Sequence, residues 1–111
     1  MKILDTYKYK VDFSGVKYFS EIHEVLKRDL DLPDYYGGHL DALWDCLTDQ
    51  LLSGLTHIEI VNFEKISTAF SEEWKGIMKV FRDTKHAYGD KYSDRFFVFM
   101  VWDDGTREEI K

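Results

Sequence analysis

The stretch LPDYYGGHLDALWDCLTD, residues 32–49, holds a proline, two tyrosines, two glycines, a tryptophan and four aspartates, and no lysine or arginine. Pro33 biases Leu32 away from helical geometry, and the YYGG run supplies a turn. After the turn, Leu40, Leu43, Trp44, Leu47 and Leu51 recur at helical spacing until Gly54, which reads as the helix stop. Upstream, Ile22, Val25, Leu26 and Leu30 mark an earlier helix, with Ser20 read as its N-cap. Further out, residues 7–13 (YKYKVDF) alternate as a strand does, with Gly15 as the break, and residues 56–62 (THIEIVN) read as a second strand. Residues 63–69 predict a short helix. Ser71 then predicts the cap of a longer one, in which Glu72 and Glu73 complement the helix dipole, Trp74, Ile77, Met78, Phe81, Thr84 and Tyr88 form the inward stripe, and Gly89 is the stop. Residues 95–102 (RFFVFMVW) are apolar after the arginine, as expected of a strand covered on both faces. Strands separated by helices need crossover connections. The expected fold is therefore α/β, a small three-stranded parallel sheet packed by about four helices.

A chain of 111 residues with 44% hydrophobic content is long enough for one core and too short for two, so residues 1–111 read as a single domain. No early apolar run follows basic residues, and the longest apolar run, residues 96–102, falls far short of the ~20 residues of a membrane span. A soluble, cytoplasmic protein with no membrane partner is the expectation. The single cysteine, Cys46, cannot close an internal disulfide and suits a reducing compartment; it reads as a small hydrophobe on the core side of its helix.

The net charge of −6 is unevenly spread. Between Arg28 and Lys65 there is no lysine or arginine, while Asp29, Asp31, Asp34, Asp41, Asp45, Asp49, Glu59 and Glu64 give that segment −8 with histidine neutral, leaving +2 for the rest. Such a field repels nucleic acid and attracts cationic surfaces. At about 100° per residue, Asp41, Asp45 and Thr48 share the face next to the apolar stripe, with Trp44 at the border. Asp41 and Asp45 repel each other at i,i+4 spacing, which invites an external cation. Asp49 lies further round the helix. A metal or acid/base role for that aspartate pair finds no support elsewhere: the four histidines form no HExxH-like pattern, and no nucleophile motif or glycine-rich phosphate loop is present. The expectation is a non-enzyme with no cofactor and no metal.

The motif LPDYYGGHLDALWDCLT, preceded by SEIHEVLKRDL and followed much later by VFRD, resembles the barstar family of intracellular ribonuclease inhibitors, closely and without gaps over residues 20–48 and more weakly into the last strand. The resemblance implies a three-stranded parallel sheet packed by helices and a nuclease-binding surface made by this loop and helix with an acid on the last long helix. Carried over by position, that surface is Tyr35, Gly37, His39, Asp41, Trp44, Asp45 and Asp83. It implies a basic extracellular-type ribonuclease or related toxin as partner, in a one-to-one complex, and a chain that is monomeric when free. The alternative is an interaction module of the same fold that binds a basic non-nuclease partner. The chain departs from the family at His39, where Asn is usual and caps better; at Gly38, which replaces a larger polar residue; at Asp49 and Gln50, which replace Gly and Trp; at Asp83, which replaces the longer Glu; and in residues 103–111, a C-terminal extension.

Overall fold

The computed structural model describes residues 5–111. The chain runs β1 (Asp5–Asp12), α1 (Phe19–Asp29), α2 (Leu40–Ser53), β2 (Gly54–Val61), α3 (Glu64–Ala69), α4 (Ser71–Lys85), a 3-10 turn (Ser93–Arg95), β3 (Phe96–Val101) and β4 (Arg107–Glu109). The sheet order is β1-β2-β3-β4. The first three strands are parallel, in a register that sets Tyr9 beside Ile58 and Ile58 beside Val98. Two helical crossovers, α1–α2 and α3–α4, produce that arrangement.

The α/β fold with a parallel three-stranded centre is the expected one, and the strand count is corrected to four. Within residues 103–111, Arg107–Glu109 form β4, antiparallel to β3. The Ile110 amide donates to the Val98 carbonyl at 2.8 Å, and the Ile110 side chain is buried.

Burial alternates strictly along β2: Gly54, Thr56, Ile58 and Ile60 are buried, and the residues between them are half exposed. A sheet with helices on one face and solvent on the other gives that pattern. The covered face meets Leu43, Leu47 and Leu51 of α2 and Ile77 and Phe81 of α4 in one core. Phe81 lies 6.4 Å from Phe96, ring centre to ring centre, and burying a side chain of that size is worth roughly 1.5–3 kcal/mol. The expectation that β3 is covered on both faces fails for the same reason. Phe96 and Val98 are buried, but Phe97, Phe99 and Met100 are only half buried. The outward rings are covered instead by cations: Lys85 Nζ sits 4.4 Å from the Phe97 centroid and the Arg107 guanidinium 4.6 Å from that of Phe99.

Helix starts are also corrected. Tyr18, not Ser20, is the N-cap of α1, because the Glu21 carboxylate reaches back to accept from the Tyr18 and Lys17 amides, each at 2.8 Å. Ser71 is the first residue of α4, and Phe70, the hinge from α3, precedes it as N-cap. The α4 helix stops at Lys85, so Gly89 lies beyond it and Tyr88 is 40% exposed rather than part of the inward stripe. Gly54 follows α2, as read, but its backbone is extended (φ −176°). Glycine is needed there because a Cβ would lie 2.3 Å from the Asp5 carbonyl oxygen, where β1 passes against β2.

Candidate functional site

The loop before α2 is built from the top of α1. Lys27 O accepts from the Leu32 amide at 2.9 Å, and Pro33 O accepts from Tyr36 at 2.9 Å. Those bonds close the loop and send the two tyrosines in opposite directions. Tyr36 is buried. Its hydroxyl meets His23 Nδ1 at 2.5 Å, and His23 Nε2 meets Glu73 at 2.7 Å, so loop, α1 and α4 are pinned together. Burial, followed by the nearby Glu73 charge, pushes the Tyr36 hydroxyl far above its usual range. It therefore stays protonated, and the His23 ring links it to the Glu73 carboxylate, which accepts from Nε2. Tyr35 points outward and is 73% exposed. Gly38 has φ +77°, a left-handed conformation in which a side chain is strained, and it turns the chain into α2.

His39 occupies the N-cap of α2 with extended backbone and no capping hydrogen bond from its side chain. Asp41 and Asp45 are exposed one turn apart, and Trp44 is half buried against the core. The same-face reading fails for Thr48, which is 8% exposed. Its hydroxyl donates to the Trp44 carbonyl at 2.8 Å.

A groove of about 400 Å³ runs between α2 and α4, with Asp41 and Trp44 on one side, Lys79 and Asp83 on the other, and Leu40, Gly76 and Val80 along the floor. The fold thus brings Asp83 to Asp41 and Trp44 across 42 positions of sequence. It also brings Lys79, which the sequence reading missed. Lys79 Nζ holds the Asp83 carboxylate at 2.6 Å, so the third acid of the face carries its own counter-ion. An i,i+4 Lys–Asp pair on α4 is visible in the sequence, but its position over α2 is a matter of helix packing.

On the other flank of α2, Tyr35 lies beside Cys46. The Cys46 side chain foremost, and the Asp49 and Asp45 charges after it, push the Tyr35 hydroxyl up. Burial, with Asp45 and Asp49 adding to it, pushes the Cys46 thiol up, so it stays a thiol at neutral pH. Asp49 is therefore part of Tyr35's surroundings, not remote from them. Gln50 has turned inward, accepting from the Tyr9 hydroxyl at 2.9 Å and donating to Thr56 Oγ1 at 3.1 Å. Around α2 the order is groove, Asp41, Asp45, then Asp49 and Tyr35. Gly37 and His39 are exposed on the loop above. Among the described residues no three His, Cys, Asp or Glu side chains converge as a metal site, and no helix is long and apolar enough to cross a membrane.

Rigidly presented carboxylates between a flat aromatic and a groove suit charge-assisted, bidentate bonds to guanidinium or ammonium groups. The family model described as Barstar (barnase inhibitor) matches residues 7–101, all but the ends of the chain. A protein of Bacillus subtilis (strain 168) named "Putative ribonuclease inhibitor YrdF" is 36% identical over 81 residues, which cover 73% of this chain and 85% of that relative.

Proposed function

The chain belongs to the barstar family, an inhibitor family, and on that premise we propose that it inhibits a basic extracellular-type ribonuclease or related toxin by covering its active site with α2 and the preceding loop. The observation that carries the reading is the exposed Asp41–Asp45 pair of α2, set between the Trp44–Asp83 groove and exposed Tyr35. A ribonuclease holds substrate phosphates with arginine, lysine and protonated histidine, and a fixed carboxylate can take a phosphate's place there. Asp45, between the two flanks, is the phosphate mimic. Asp41 pairs with a further cation, Tyr35 lies flat where a base or catalytic imidazole sits, and Trp44 supports the acids from the groove side. Asp83 contributes less than its position implies, because Lys79 is already on it.

The −8 segment steers a basic partner and repels RNA and DNA. Association should therefore slow steeply as salt rises. Barnase is the first partner to try. Titrating it with this protein should abolish RNA hydrolysis at a one-to-one ratio. Immobilised protein should also retain a basic ribonuclease or toxin from the cell that makes it. Failure of both would remove the inhibitor reading. The departures at Asp49, Gln50 and Asp83 favour a second reading, in which the same face binds a basic non-nuclease partner; retention of such a protein, without ribonuclease activity, selects it.

A further inference from the structure

A second groove, of about 490 Å³, shares Leu40 and Asp41 with the first and is otherwise lined by Phe19, His23, Gly38, His39 and Glu73. No lysine or arginine lines it, and its formal charges come from Asp41 and Glu73. One wall is an aromatic face that the core does not use. Phe19 is 51% exposed, yet its ring is set by edge contacts to Phe70 at 6.1 Å and to His23 at 6.3 Å, between centroids. The residues beside that ring are equally fixed: Glu73 holds His23 through one carboxylate oxygen, and His23 in turn holds Tyr36.

A preset ring, two acids and an aliphatic floor at Leu40 match one side chain in both shape and charge. A guanidinium stacks on an aromatic face and forks to carboxylates, and its stem is apolar. An ammonium meets the charge without the stacking. We propose that this groove seats an arginine of the same partner, stacked on Phe19 and paired with Asp41 and Glu73. The proposal rests on the acidic face being the partner surface. It extends that surface from α2 across to the start of α1, so the partner must carry an arginine beside the cations that meet Asp41 and Asp45.

The test has two arms, both on the full chain. In the first, argininamide and lysinamide are titrated in turn and followed by NMR. Argininamide should shift the Phe19 ring protons and the Gly38, His39, Leu40 and Asp41 amides in a saturable way, more tightly than lysinamide, and the shifts should vanish in Phe19→Ser and weaken in Glu73→Gln. Phe19 is half exposed, so Phe19→Ser should leave the rest of the spectrum in place. Absent shifts, shifts that persist in Phe19→Ser, equal response to lysinamide, or Phe19 signals that move with protein concentration as a second copy covers them would each overturn the proposal. In the second arm, Phe19→Ser should weaken barnase binding about tenfold, mainly by faster dissociation. If Asp45→Ala abolishes barnase binding while Phe19→Ser leaves it untouched, the arginine seat is wrong and the inhibitor reading stands. If the wild type does not bind barnase at all, barnase fails as the partner and the argininamide titration alone decides the groove.

Discussion

Replacing His39 with asparagine should make the protein more stable, by an amount the geometry of α2 sets. His39 has the extended backbone of an N-cap (φ −110°, ψ 144°) but gives no side-chain bond to the helix. Its carbonyl accepts from the Leu43 amide at 3.1 Å, so the amides of the first turn are the ones without an intrahelical acceptor. An asparagine oxygen at this position reaches the second or third helical amide, that of Asp41 or Ala42, and such a cap is worth about 1 kcal/mol. Little is lost in exchange, because His39 is exposed. For a chain of 111 residues, about 1 kcal/mol corresponds to a rise in Tm of roughly 3–6 °C. Thermal unfolding followed by tryptophan fluorescence and circular dichroism, with a urea titration for the free energy, measures it. An unchanged or lowered Tm would show that the loop cannot place a cap there, and the account of α2's start would be wrong.

Other substitutions test separate parts of the structure. Lys85→Met keeps the stem but removes the donor to the Ser93 and Phe96 carbonyls, at 2.8 and 2.7 Å, and should cost about 2–3 kcal/mol in urea unfolding; a neutral result would mean that water replaces the ammonium. Lys79→Gln should leave stability within about 0.5 kcal/mol, since the pair with Asp83 is a surface one, and should speed association with a basic partner; slower association would mean that Lys79 itself meets the partner. Hydrogen bonds from Asn62 and from the Ser14 amide hold the Asp12 carboxyl below its usual range. Its folded value is thus below its unfolded one, so its stabilisation is present above about pH 4 and is lost as pH falls through the folded value. Asp12→Asn should accordingly lower stability at pH 7 more than at pH 3 in parallel urea titrations, and equal losses at the two pH values would refute the linkage.

The core face of α2 was legible in the sequence because Leu40, Leu43, Leu47 and Leu51 keep the 3.6-residue period over three turns. The parallel order followed from helices lying between strands. What the sequence obscured depended on partners distant along the chain. Phe97 and Phe99 look like core residues, and only the fold brings Lys85 and Arg107 over their rings. Residues 107–109 are Arg-Glu-Glu, with no apolar alternation to announce a strand, and they pair only because β3 offers a free edge. Ser20 and Ser71 are good caps by residue type, but Glu21 fixes one start two residues earlier than read and the bend at Phe70 fixes the other one residue earlier. In the candidate site, Asp41, Trp44 and Asp45 could be placed from helix geometry alone. Lys79 over Asp83, Asp49 beside Tyr35 and the Phe19 groove needed the packing of α1, α2 and α4.

The central claim is that α2 presents its carboxylates to the cations of a nuclease active site, and Asp45 tests it most directly. Asp45→Ala and Asp45→Asn should be compared with wild type for inhibition of barnase and for Kd, with Glu108→Gln on exposed β4 as the control. Removing one partner of a buried interfacial charge pair costs ~2–5 kcal/mol, so affinity should fall by about thirtyfold to several thousandfold. Tm should be unchanged or slightly higher, because the i,i+4 repulsion with Asp41 is relieved. Equal affinities for wild type and Asp45→Ala, in a protein that still inhibits, would show that another face does the binding.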